Sequence, residues 1–162
     1  VVWLHERSWR AWAFAQFAPY MKPVEYWKNL SGIWIDTEFP HVHKDMWLDL
    51  FSANVKQKRK LMSSKERQVI QDLPKKATIY RGYDDDIKNN LMGISWTLSE
   101  EKADWFATRF KIETAPRVAE GQCEKSSILA YFDDRGEQEI VINPIDINIT
   151  DNRPARGVLD TN

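Results

Sequence analysis

Apolar residues recur at the spacing of helix faces in the first half of the chain. Two sets show this: Trp27, Leu30 and Trp34 at i, i+3 and i+7, and Trp47, Leu50, Phe51 and Val55 at i, i+3, i+4 and i+8. Each set predicts an amphipathic helix with one face to bury. Ser63 and Glu66 have the spacing of a capping box, which predicts a further helix ending near residues 72–74. Residues 1–75 are therefore predicted to form a helical N-terminal region packed on the rest of the chain.

Short runs of β-branched and aromatic residues replace this pattern after residue 76. They predict strands at residues 77–82, 93–99, 117–124, 127–131, 138–143 and 145–149. Ser99 is a candidate N-cap for a helix over residues 99–110. Strands and helices do not alternate regularly, and no Gly-x-Gly-x-x-Gly is present, so a Rossmann fold is not expected. The predicted fold class is α+β, with a strand-rich core over residues 76–152 and a mobile tail over residues 153–162.

Two carboxylates, Glu137 and Glu139, open the apolar run that ends at Ile142. In an extended strand residues i and i+2 point to one face, so both glutamates are expected to project together while Gln138 points away. Their repulsion and desolvation are tolerated where a cationic substrate, or one that develops positive charge, lies between them. The alternative is the solvated start of a strand with two surface glutamates.

Two further motifs precede this pair. Arg81 ends a β-prone run and is followed by Gly82, whose missing side chain lets the backbone approach a ligand closely. Ser95 and Thr97 place two hydroxyls on one face of the next strand. In chain order the sequence offers an arginine, a Ser-x-Thr strand and a Glu-x-Glu strand. This order resembles the arginine, serine and glutamate signature of the ADP-ribosyltransferase family, over residues 76–145.

The resemblance implies a split β-sheet core and a role for each matching residue. Arg81, with Gly82 beside it, is expected to hold the phosphates of NAD. Ser95 and Thr97 belong to the strand that supports the nicotinamide pocket, although the family strand reads Ser-Thr-Ser and this one has Trp96 in the middle. Glu139 is expected to hydrogen-bond the ribose and to stabilise its developing positive charge.

The resemblance also implies that the residues just before Glu139 recognise the molecule that accepts ADP-ribose. Glu137 is expected to orient or deprotonate the incoming nucleophile. The 131–136 segment looks like the family's substrate-recognition turn, which often carries an exposed aromatic. This chain has two adjacent aromatics there, Tyr131 and Phe132. The alternative for either ring is a place in the core. In the family, glutamate at the position of Glu137 accompanies arginine acceptors.

The sequence thus predicts a mono-ADP-ribosyltransferase that moves ADP-ribose from NAD to a macromolecule, with a protein arginine favoured over nucleic acid. No metal is expected, because the nicotinamide leaving group is already cationic and departs neutral. The alternative is a catalytically inactive or NAD-hydrolysing relative that binds a partner protein through its aromatic N-terminal region. A toxin, a phage effector and a regulator all fit the sequence.

Composition restricts the partners and the location. The net charge of -1 gives no general attraction to nucleic acid or to an anionic membrane. Charges interrupt every window of about twenty residues, so no membrane-spanning helix is expected. The first residues do not resemble a cleaved signal peptide, and a cytoplasmic location is expected. Cys123 is the only cysteine, which excludes an internal disulfide and a thiolate metal cluster.

Two other polar features are weaker candidates for chemistry. His41 and His43 are spaced to bind a metal from an extended segment, but the nearby sequence supplies no third ligand. The basic run at residues 56–60 can contact phosphate, although on a near-neutral chain such a run is more often a solvated helix face.

Overall fold

The computed structural model describes residues 6–37, 40–88, 90–109 and 115–157 of the 162-residue chain. Its helices are α1 (Arg10–Phe17), α2 (Pro23–Ile35), α3 (Lys44–Ser52), α4 (Ser64–Asp72) and α5 (Glu100–Thr108). Its strands are β1 (Lys76–Asp84), β2 (Ser95–Thr97), β3 (Pro116–Glu124), β4 (Ile128–Phe132), β5 (Glu139–Ile142) and β6 (Ile147–Pro154). The predicted α+β class is confirmed.

The helix starts follow from local chemistry. The Ser63 hydroxyl accepts a hydrogen bond from the Glu66 amide, and the Glu66 carboxylate accepts one from the Ser63 amide at 2.7 Å, so the predicted capping box begins α4. Ser99 accepts from the Lys102 amide and begins α5, as its N-cap position predicts. The predicted last residue of that helix, Phe110, lies outside the described residues.

The six strands form one antiparallel sheet in the order β4-β5-β2-β1-β3-β6. β1 pairs along its length with β3, from Lys76 opposite Glu124 to Asp84 opposite Pro116. Its pairing with β2 is confined to Tyr80 opposite Thr97, which makes this the narrowest junction of the sheet. The order places β1, β2 and β5 side by side, and these strands carry Arg81, Ser95 and Glu139.

The helices bury the sheet from both faces. One core cluster joins α1, α2 and α3 to β4 and β5; among its fully buried members are Phe14, Trp27, Leu30, Trp47, Phe51 and Val141. A second cluster lies on the other face, where Ile79, Trp96 and Ile140 pack against half-buried residues of α4. The stripe predicted around Trp27 is therefore confirmed as core, and so are Trp47, Leu50 and Phe51 of the second stripe. Its last predicted member, Val55, lies beyond the end of α3 and is half-buried. These contacts attach the N-terminal helices to the sheet.

The structure corrects the predicted strand at residues 138–143. Gln138 has φ of 47°, in the left-handed region, and β5 begins only at Glu139. Glu137 to Glu139 is thus not extended backbone, and the alternation that placed both glutamates on one face does not apply there. The turn is held by hydrogen bonds from the Gln138 amide to the Asp133 carboxylate and from the Leu98 amide to the Gln138 carbonyl.

The structure also corrects the predicted start of the mobile tail at residue 153, because β6 continues to Pro154. Arg153 lies in β6, and its guanidinium donates to the carboxylates of Glu100 and Asp104, with two bonds of 2.8 Å to Asp104. Burial alone raises the pKa of Asp104, but the hydrogen bonds from Arg153 and from the Arg156 amide outweigh this and hold that pKa below its ordinary value. This network ties the chain to α5 beyond residue 152. In the described ranges, no helix is both long and apolar enough to cross a membrane.

Candidate functional site

The Glu139 carboxylate, at the start of β5, is held by two donors from distant parts of the chain. The Ser95 hydroxyl on β2 donates to Oε1 at 2.5 Å, and the Trp34 indole on α2 donates to Oε2 at 3.0 Å. Thr97 opposite Glu139 fixes the register of β2 against β5. Each carboxylate oxygen therefore has one donor, and the side chain is fixed in position.

The Arg81 guanidinium is linked to this carboxylate through Ser95 and is held by Asn90 and the β2 strand. Its Nη1 donates to the Ser95 carbonyl at 2.6 Å, Nε to the Asn90 carbonyl at 3.0 Å, and Nη2 to the Asn90 side-chain oxygen at 3.3 Å. These contacts leave one N–H on each terminal nitrogen. Gly93 makes room for the group, because a Cβ atom there would lie 2.2 Å from Nη2.

Burial dominates the electrostatics of the pair. It raises the pKa of Glu139 above its ordinary value, while the hydrogen bonds from Ser95 and Trp34 oppose the rise. Burial lowers the pKa of Arg81 to about 10, and the negative charge of Glu139 opposes that shift. Arg81 therefore stays cationic at neutral pH, and the site combines a fixed cation with a desolvated carboxylate.

Glu137 lies just outside the strand pairing and faces a different partner. Its carbonyl accepts a hydrogen bond from the Thr97 hydroxyl at 2.8 Å, and its carboxylate contacts the Arg135 guanidinium at 3.2 Å. The Glu137 side chain is 15% exposed and that of Arg135 is 54% exposed. The negative charge of Glu137 also raises the pKa of Glu139, and the charge of Arg135 lowers it. The two glutamates are thus electrostatically coupled.

Thr97 and Gly82 occupy structural positions. The Thr97 side chain is buried; besides donating to Glu137, its hydroxyl accepts from the Ser99 amide at 3.1 Å. Gly82 packs against α5, where a Cβ atom would lie 2.1 Å from the Ala103 carbonyl oxygen. The structure therefore gives Thr97 a role in holding the Glu137 turn, and gives Gly82 one in helix packing.

Tyr131 and Phe132 do not form an exposed recognition surface. Tyr131 is 4% exposed and Phe132 is 3% exposed, and the two rings belong to the core clusters on opposite faces of the sheet. The prediction that they dock a target is corrected, because buried rings of β4 offer no contact area to a macromolecule. The exposed part of this segment is residues 133–136.

The helical spacing of Trp34 predicts a buried position but does not indicate its contact with Glu139. Trp34 is 105 positions from Glu139, and its ring packs edge-on against Trp47 and Phe51 at centroid distances of 5.0 and 5.3 Å. A helical stripe predicts burial, yet it does not predict which polar group a buried indole N–H will find.

Comparisons with protein-family models, with curated proteins and with solved structures found no match. Among the described residues, no group of three or more His, Cys, Asp and Glu side chains is arranged to hold a metal ion.

Trp34→Phe is expected to raise the pKa of Glu139, because it removes a hydrogen bond that favours the ionised carboxylate. The phenyl ring preserves most of the packing on Trp47 and Phe51. Carbon-13 NMR of glutamate carboxyls, with Glu139 assigned through Glu139→Gln, measures this pKa directly.

Trp47→Phe is the matched control, because it removes an indole from the same cluster and leaves the Trp34 donor in place. A Glu139 pKa that is the same in Trp34→Phe and in the wild-type protein would show that the indole does not act on the carboxylate.

Proposed function

We propose that the chain is a mono-ADP-ribosyltransferase that transfers ADP-ribose from NAD to a macromolecule. One observation carries the proposal: Arg81, Ser95 and Glu139, far apart in sequence, form a continuous hydrogen-bonded chain across three neighbouring strands. The chemistry of this set suits NAD, since a guanidinium binds pyrophosphate and a carboxylate binds ribose hydroxyls. A likeness to the ADP-ribosyltransferase fold is part of the same proposal, as is a cytoplasmic location, where NAD is abundant.

Each residue acts on a different part of the reaction. NAD supplies an activated glycosidic bond whose nicotinamide leaves as a neutral molecule when the bond breaks. Glu139 presents negative charge where the ribose becomes cationic, and its two donors keep it from reorienting during the step. Arg81 offers its remaining N–H groups to the pyrophosphate. Ser95 links the two groups, because its carbonyl binds Arg81 and its hydroxyl binds Glu139.

The acceptor is proposed to be an arginine side chain of a protein. Glu137 already binds a guanidinium, that of Arg135, at 3.2 Å, and an acceptor arginine can replace this half-exposed partner. Glu137 then receives a proton from the acceptor nitrogen as that nitrogen bonds to the ribose C1′ and nicotinamide departs. The balance is one glycosidic bond broken, one formed and one proton released.

Two parallel assays on the wild-type protein test the proposal. Nicotinamide release from NAD measures cleavage, and incorporation of labelled ADP-ribose into lysate proteins measures transfer. Release of nicotinamide together with labelling that neutral hydroxylamine removes supports an arginine transferase. Absence of nicotinamide release in the presence of lysate overturns the enzymatic proposal.

Glu137→Ala is expected to lose transfer while retaining much of any slow NAD hydrolysis. The acceptor loses its base and its binding partner, whereas water needs less positioning and Glu139 remains to stabilise the ribose cation. Comparing the two assays measures the difference. Arg135→Gln is the control, because it removes the internal guanidinium and keeps Glu137. Equal loss of both activities in Glu137→Ala would assign this glutamate to the NAD step instead.

The second candidate function is a non-catalytic protein-binding module. It is favoured by exposed aromatic side chains on the N-terminal segments, where Trp9 is 49%, Trp12 43% and Tyr20 88% exposed. It is also favoured by the hydrogen bonds that Arg81 already donates to the carbonyls of Asn90 and Ser95. The nicotinamide assay separates this candidate from the transferase, because a binding module leaves NAD intact.

A further inference from the structure

A basic cavity of about 440 Å³ lies between α2, the 58–63 segment and the C-terminal end of β4. Its charged lining consists of the basic side chains of Lys28, Arg59, Lys60 and Arg67 and the carboxylates of Glu66 and Asp134. Cavities of this size hold small organic ligands.

Four basic side chains line the cavity against the two carboxylates of Glu66 and Asp134, so the charge of its lining is positive overall. The side chains of Lys28, Arg59 and Lys60 have no ion pair or hydrogen bond with any residue that the structure describes. Glu66 is already engaged, because its carboxylate accepts from the amides of Ser63 and Asp133. Several unpaired cations around one concavity repel one another unless an anion lies between them.

The wall that carries Arg59 and Lys60 is held in place. Arg67 Nη1 donates to the Arg59 carbonyl at 2.7 Å and to the Met62 carbonyl at 2.5 Å. The Ser63 hydroxyl accepts from the Glu66 amide, so its own proton remains for another acceptor. The backbone that carries Arg59 and Lys60 is therefore fixed, and their exposed side chains extend from it around one concavity.

We propose that this cavity binds a phosphate ester. A phosphate group presents three acceptor oxygens and up to two negative charges, which matches Lys28, Arg59 and Lys60 better than a carboxylate does. The half-buried side chains of Ile35 and Met62 offer an apolar wall to the organic part of the ligand. The net charge of the whole chain does not oppose binding, because the cations are concentrated locally.

The proposed phosphate site is separate from the Glu139 site, although the two adjoin. Ile35 follows Trp34 on α2, and Asp134 precedes Arg135 and the turn that leads to Glu139. The four basic residues of the cavity make no contact with Arg81, Ser95 or Glu139. Phosphate binding in this cavity is therefore independent of transferase activity at the Glu139 site.

Calorimetry and amide NMR titrations test the site with defined probes: inorganic phosphate, adenosine monophosphate, unphosphorylated adenosine and a single-stranded oligonucleotide. Adenosine monophosphate is expected to bind and to shift amides near Lys28, Arg59 and Ser63, and adenosine is not. The double variant Arg59→Gln/Lys60→Gln is expected to weaken binding about tenfold or more. Its fold is expected to persist, because neither side chain is bonded to another residue in the part of the chain that the structure describes.

Lys56→Gln is the matched control, since Lys56 belongs to the same basic run and does not line the cavity. If the oligonucleotide binds and the mononucleotide does not, and the double variant alone loses this binding, the site is assigned to a phosphodiester. That result still supports the phosphate proposal. No binding of any phosphate probe, equal binding of adenosine, or equal loss in Lys56→Gln overturns it.

Discussion

Glu139→Gln is expected to reduce nicotinamide release about 100-fold or more, and to abolish transfer with it. The substitution removes the negative charge that the proposed mechanism places against the ribose cation, and one such preorganised group is commonly worth this much. Binding of NAD is expected to change far less, because Arg81 and the β2 strand are untouched. Steady-state release assays and calorimetric NAD titration measure the two effects separately.

The fold is expected to survive this substitution for a reason visible in the contacts. The side-chain oxygen of glutamine can accept from the Trp34 indole, and the side-chain amide NH2 can donate to the Ser95 hydroxyl. A hydroxyl accepts a hydrogen bond as readily as it donates one. Ser95→Ala is the companion control; it removes one donor to Glu139 and keeps the charge, so a smaller loss is expected. Near-normal release in Glu139→Gln would exclude this residue as the stabilising carboxylate.

The elements that sequence predicted well are those fixed by local rules. The apolar stripes of α2 and α3, and the Ser63 and Glu66 capping box, each depend on residues within two turns of one another. The start of β5 was missed because Gln138 adopts a left-handed conformation that is rare for a residue other than glycine. The extension of β6 was missed because Arg153 is held by two carboxylates on α5, about fifty positions away.

The residues of the candidate site fall into the same two groups, those marked by a sequence motif and those that only folding brings to the site. The motif order predicted Arg81, Ser95 and Glu139 as a group, and the structure brings them together through two hydrogen bonds. Trp34, Asn90 and Gly93 had no motif to mark them, since their contacts with Glu139 and Arg81 exist only after folding. Tyr131 and Phe132 were misjudged because an aromatic pair beside a turn has the same sequence pattern whether it is exposed or buried.

Arg81→Ala is expected to lower the free energy of unfolding by about 2 to 5 kcal/mol, whether or not the protein cleaves NAD. The part-buried carbonyls of Asn90 and Ser95 lose their guanidinium donor. An unsatisfied buried carbonyl costs about 1 to 3 kcal/mol, and partial exposure keeps the sum of the two below the upper limit. The attraction between Arg81 and Glu139 is mutual, so Glu139 also loses a neighbouring cation and its pKa is expected to rise further. Urea denaturation measures the loss.

The pH dependence of that loss identifies its electrostatic part. Because burial raises the pKa of folded Glu139, the folded state keeps this proton at pH values where the unfolded state has released it, so stability falls as pH rises through that window. Without Arg81 the window extends upward, and the deficit of Arg81→Ala relative to wild type is expected to be smaller near pH 4 than at neutral pH. Arg81→Ala/Glu139→Gln completes a double-mutant cycle, in which the second substitution is expected to recover part of the loss at neutral pH. Strict additivity of the two single variants at both pH values would mean that Arg81 holds only the Asn90 and Ser95 carbonyls and does not act on the charge of Glu139.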